Sequence, residues 1–137
     1  MGWQTVKITA DTNILVRAIT GDDVRQSAIA QSELASADVV ALALPALCEL
    51  VWVLSRGYKI ASPDVAEAIR RLIDGANVVV NRPAVEFGLA LLDAGGDFAD
   101  GVIAYEGNWL GGEAFVSFDR RAVQLLTAQG LSTRLLA

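Results

Sequence analysis

The run VVALAL at residues 39–44 constrains this chain more than any other stretch. Six consecutive apolar residues, of strand length and without the alternation of a half-exposed strand, suit a parallel sheet covered on both faces. The rest of the sequence supplies such a sheet. Residues 6–10 read as a strand, TNILVRAI after them as a short helix, and residues 22–36, with Val24, Ile29 and Leu34 among polar side chains, as a helix opened by acids. Pro45 suits a first helical turn, so residues 45–56 form an apolar helix ended by Gly57. Residues 62–75 carry full helix signals: Ser62 as cap, Pro63 at the first position and Gly75 past the end. A strand at 77–80, helices at 82–96 and 98–110, a strand at 114–118, a helix at 119–130 and a last strand in STRLLA complete the series. This alternation predicts an α/β fold, a three-layer α/β/α sandwich with a mainly parallel four- to five-stranded sheet, in one domain over residues 1–137.

Composition removes several classes of function. With 53% hydrophobic residues, 20% charged residues and no repeat, the chain is expected to be a compact soluble globule. The most apolar region, residues 39–55, is broken by Pro45 and Glu49 and falls short of the ~20 residues a membrane helix needs. The first residues show no export signal, so the expected location is the cytoplasm. Cys48 is the only cysteine, which excludes an internal disulfide and a thiolate metal cluster. There is no histidine, which excludes histidine-based triads, imidazole ribonuclease chemistry and the usual zinc sites. Catalysis in such a chain must run on carboxylates, hydroxyls and a bound cation.

The carboxylates stand at informative places. Asp11 follows the first strand and Asp119 the fourth, where open parallel sheets build their sites. Each also has a plain structural reading as the N-cap of the helix that follows. Glu49 is the only charge between Asp38 and Arg56, on an otherwise apolar helix. It is either a ligand or part of a solvent stripe with Arg56 two turns on. Asp97 and Asp100, three apart at a helix start, either share a cation or serve as cap and first-turn acid. Gly101 beside them lowers helicity by ~1 kcal/mol relative to alanine, which points to a close approach at that position. Together these acids suit a hard, oxygen-loving cation, magnesium or manganese. The net charge of −5 is partly local: setting aside Asp11, Glu49, Asp97, Asp100 and Asp119 leaves 11 acids against 11 Lys and Arg. Arg17, Arg25, Arg56, Lys59, Arg120 and Arg121 are candidate phosphate contacts or simply solvated charges.

In order, the segments ADTNILVR, ALCELVWVLSR and DFADGVIAYEGNWLGGEAFVSFDRRA resemble the PIN domain, particularly the VapC-like toxins of bacterial toxin–antitoxin pairs, over essentially the whole chain. The resemblance implies that Asp11, Glu49, Asp100 and Asp119 are the four acidic metal-site positions, with Asp97 one helical turn before Asp100 as a further acid. It implies Asn13 and Ser117 as supporting polar groups, Ser117 standing where many relatives have threonine. The activity implied is that of a magnesium- or manganese-dependent endoribonuclease, acting on RNA by metal-activated water. The implied partners are a cognate antitoxin protein and a second copy of the chain in a homodimer. Trp3, Trp52, Tyr58 and Trp109 are candidate contacts for those partners, although the plainer expectation for most of them is the interior.

Two other classes compete. A magnesium-dependent phosphatase would use Asp11 as nucleophile, but DTN lacks a second aspartate two residues on and no lysine lies near Asp119. A catalytically silent module would keep the fold and only bind RNA or a partner.

Overall fold

A computed structural model describes residues 5–137, and Trp3 lies outside them. The chain divides between Asn81 and Arg82 into two compact units. The first runs β1 (Lys7–Thr9), α1 (Thr12–Thr20), α2 (Val24–Ser36), β2 (Val39–Leu42), α3 (Leu44–Trp52), a π-helical turn (Val53–Gly57), α4 (Ser62–Ile73) and β3 (Val78–Val80). Its strands are parallel in the order β1-β2-β3, with Ile8 opposite Val40 and Ala41 opposite Val79. The apolar run is therefore the central strand, with Val40 and Leu42 fully buried.

The core of this unit follows from helical spacing. Leu47, Leu50, Val51 and Leu54 are buried at i, i+3, i+4 and i+7, and Val65, Ile69 and Ile73 repeat the pattern on α4. Each such side chain contributes roughly 1.5–3 kcal/mol by leaving water, so Leu50→Ala costs about 2–5 kcal/mol once the cavity is included.

Three local expectations change. Ser62 is the first helical residue of α4, and the cap is Ala61 with no side-chain bond. Pro63 has no N–H to satisfy, so a capping side chain matters less here. On α2, Val24 and Ile29 face solvent, while the small Ser27 and Ala30 are buried against α1. Small residues there let the two helices approach closely. The apolar helix that starts at α3 keeps α-geometry only to Trp52; beyond it the Tyr58 amide donates to the Val53 carbonyl at 3.0 Å, an i to i+5 bond.

The second unit runs α5 (Arg82–Asp93), α6 (Phe98–Trp109), β4 (Phe115–Ser117), α7 (Arg120–Ala128) and β5 (Thr133–Leu135). Strands β4 and β5 are parallel, with Phe115 opposite Thr133 and Ser117 opposite Leu135. Leu91, Ala104 and Leu126 form its buried centre, flanked by Phe87, Phe115, Leu125 and Leu131. The chain is thus mixed α/β with every paired strand parallel, as expected. Its five strands hydrogen-bond as a sheet of three and a sheet of two, in place of one four- to five-stranded sheet. Strands this short offer few ladder bonds each, so helix packing carries most of the order.

Helices α5 and α6 cross where each carries a glycine. A Cβ on Gly101 would stand 2.8 Å from the Gly88 Cα and 3.0 Å from the Phe87 carbonyl oxygen, both backbone atoms. A Cβ on Gly88 would meet Phe98 and Val102 at 2.9 Å. Gly101 is therefore kept by proximity, and its cost in helicity is offset by the packing it permits. We predict that Gly101→Ala lowers stability by about 1–3 kcal/mol, because overpacking against rigid backbone exceeds the ~1 kcal/mol gained in helix propensity. Chemical denaturation measures it; a more stable Gly101→Ala protein would refute the crossing.

Candidate functional site

In the first unit, Asp11 leaves β1 and becomes the N-cap of α1, its Oδ1 accepting from the Ile14 amide at 2.9 Å. The side chain is exposed, and its second oxygen takes no hydrogen bond among the described residues. Asn13, two residues on, is also exposed and its amide makes no such bond. Glu49 is exposed on α3, as is Arg56. The solvent-stripe description of Glu49 therefore holds in geometry.

In the second unit, Asp97 caps α6, accepting from the Ala99 amide at 3.3 Å, and Asp119 caps α7, accepting from the Ala122 amide at 3.1 Å. Both reach their helices through Oδ1, as Asp11 does. Ser117 ends β4, and its hydroxyl accepts from the Asp119 amide at 2.9 Å. That bond fixes the strand-to-helix turn on which Asp119 stands. Arg121 donates to the Gly95 carbonyl at 3.2 Å, tying α7 to the loop that leads into Asp97.

Asp100 sits half-buried in the first turn of α6, beside the α5 crossing. Its pKa is raised above the usual carboxylate value, first by burial and then by the negative charges of Asp97 and Asp119. The second unit thus places Asp100 in the fields of Asp97 and Asp119. In neither unit do three or more His, Cys, Asp or Glu side chains close up enough to hold a metal ion, among the described residues. The cap readings of Asp11, Asp97 and Asp119 are what the hydrogen bonds show. A cap engages one oxygen only, so it leaves the other for a cation.

Of the candidate phosphate contacts, Arg17 is paired with Asp22 at 3.1 Å and Arg121 is held by Gly95. Arg25, Arg56, Lys59 and Arg120 are exposed and form no ion pair among the described residues. The expectation that the aromatics fill the interior is corrected for two of them: Trp52 is 62% exposed and Trp109 80%. Both occupy helix faces turned to solvent, Trp52 opposite the buried Leu47–Leu50–Leu54 stripe and Trp109 at the last residue of α6. Tyr58 is also largely exposed and donates its hydroxyl proton to Asp22 at 2.6 Å. That bond, with those from Thr20 and Arg17, holds the Asp22 carboxyl down to about 2. No pattern in the sequence marks this pair, because 36 residues separate its members.

No helix among the described residues is long and apolar enough to cross a membrane. No protein-family model and no curated protein matches the sequence.

The raised Asp100 pKa has a definite sign. A carboxyl whose folded pKa exceeds its unfolded value stabilises the fold below the unfolded pKa and loses that contribution as pH rises through the folded one. We predict that Asp100→Asn raises the thermal midpoint of the metal-free protein at pH 7, and that the gain fades as pH falls toward 3.8, the ordinary carboxyl value. Calorimetry across that range checks it, and an equal gain at both ends would rule out the electrostatic cause.

Proposed function

We propose that this protein is a PIN-like, magnesium- or manganese-dependent endoribonuclease that acts as the toxin of a toxin–antitoxin pair. The observation that carries the reading is the half-buried Asp100, whose pKa is raised first by burial and then by the negative charges of Asp97 and Asp119. Crowded negative charge in a chain without histidine is what a hard divalent cation would relieve. The finer fold reading, a three-layer α/β/α sandwich, belongs to the same proposal.

In this reading Asp11, Asp100 and Asp119 hold the cation, Asp97 assists them, and Glu49 is a further ligand or orients the attacking water. Such an ion supplies positive charge beside the scissile phosphate and lowers the pKa of bound water. The protein's own part is orientation. Asp11 and Asp119 each have one oxygen fixed by a helix amide, and Ser117 holds the turn before Asp119. Asn13 stands free on the first turn of α1 to steady a neighbouring carboxylate. RNA is the substrate, hydrolysed to a 5′-phosphate and a 3′-hydroxyl; a cognate antitoxin, a homodimer and a cytoplasmic location complete the proposal.

Purified protein, free of any partner, is expected to cleave RNA only with magnesium or manganese, and Asp11→Ala or Asp100→Ala should each abolish cleavage. Gel analysis of end-labelled RNA with and without chelator provides the measurement. Chelator-resistant cleavage, or full activity in both variants, sinks the mechanism. RNA binding without cleavage favours the silent module, and hydrolysis of a small phosphate ester but not RNA favours the phosphatase. Expression in a bacterial host should also arrest growth unless the antitoxin is co-expressed; harmless expression of the folded protein counts against a toxin.

A further inference from the structure

Helix α3 and its π-helical end expose a stripe of which the proposed chemistry uses only Glu49. Glu49, Trp52 and Arg56 follow one another at i, i+3 and i+7, and all three face solvent. Lys59 stands exposed just beyond. From Leu50 to Pro63 the sequence contains no acid, and Arg56 and Lys59 are its only charges. In a chain of net charge −5 this is a locally basic stretch with an open indole near its start.

The stretch is also held in shape. Lys59 has φ +56, a left-handed backbone uncommon outside glycine, asparagine and aspartate. Amide bonds on either side secure it: Tyr58 to the Val53 carbonyl and Ile60 to the Leu54 carbonyl, both at 3.0 Å. The Tyr58 hydroxyl anchors the turn to Asp22 at 2.6 Å. Asp22, which holds this turn through Tyr58, is already paired with Arg17. Arg56 and Lys59 take part in no ion pair among the described residues, so their charges are unspent.

We propose that Trp52, Arg56 and Lys59 form a docking surface for single-stranded RNA, with the Trp52 indole stacking on a base and the two cations meeting flanking phosphates. An exposed aromatic beside unpaired cations is the combination that binds single strands without regard to sequence. Tryptophan and arginine also occur in protein interfaces; what favours an RNA strand here is two unpaired cations with no acid from Leu50 to Pro63. The surface deepens the ribonuclease reading and rests on it, naming where substrate lies beyond the carboxylates.

Binding without turnover separates the two claims. A fluorescein-labelled oligouridylate is titrated with the full-length protein in chelator, followed by anisotropy at about 50 and about 200 mM KCl. Trp52→Leu is expected to weaken binding about fivefold or more while Trp52→Phe retains most of it, because only an aromatic face stacks. Arg56→Glu with Lys59→Glu should weaken it further and flatten the salt slope by about 1.4, at ~0.7 per phosphate contact on a single strand. Circular dichroism melting confirms that each variant is folded. Unchanged affinity in folded Trp52→Leu and in the double reversal overturns the surface, as does failure of the wild type to bind at low salt. A shift from dimer to monomer in Trp52→Leu with RNA affinity intact also overturns it, in favour of a second copy of this chain. Weakened binding in a protein that never cleaves with magnesium leaves the surface standing and removes the nuclease; cleavage by a wild type whose variants bind as it does removes only the surface.

Discussion

Four helices among the described residues begin on an aspartate whose carboxylate accepts one of the amides that a helix start leaves unpaired. Asp23 does this for α2, and the site candidates Asp11, Asp97 and Asp119 do it for α1, α6 and α7. Such a bond is worth about 1 kcal/mol to each helix. Its larger consequence is directional. Engaging Oδ1 fixes the plane of the carboxylate, and after β1 and β4 it does so at the carboxyl end of a parallel strand. One residue type therefore both starts a helix and sets a negative charge at the place where parallel sheets expose their sites.

Asp100 differs from these four because it starts nothing. It is half-buried in the first turn of α6, next to Gly101, where α5 and α6 cross closely. Its raised pKa is the electrostatic consequence of that packing and of the acids at 97 and 119.

The first unit shows the opposite use of a helix. Its apolar side, Leu47, Leu50 and Leu54, is wholly buried, while Glu49, Trp52 and Arg56 occupy the outer side. The change to π-geometry after Trp52 widens the last turn, and the Tyr58–Asp22 bond pins the widened end to the loop after α1.

The sequence by itself determined the order and kind of the strands and α-helices within a few residues. Local signals suffice for that: the unbroken VVALAL run, Pro45 and Pro63 at helix starts, the 3.6-residue spacing of leucines, and Gly101 at a position where only proximity excuses glycine. It also marked Asp11, Asp97 and Asp119 as helix starts, because a cap acts within three residues of itself. What lies far apart in the chain was decided only by the tertiary structure. The sharing of five strands between a three-stranded and a two-stranded sheet, the field of Asp119 on Asp100, the bond from Tyr58 to Asp22 and the solvent-facing indoles of Trp52 and Trp109 all depend on which faces meet. Hydrophobicity is nondirectional, so composition could assign aromatics to the interior, but only packing geometry determines which helix face has an interior to enter.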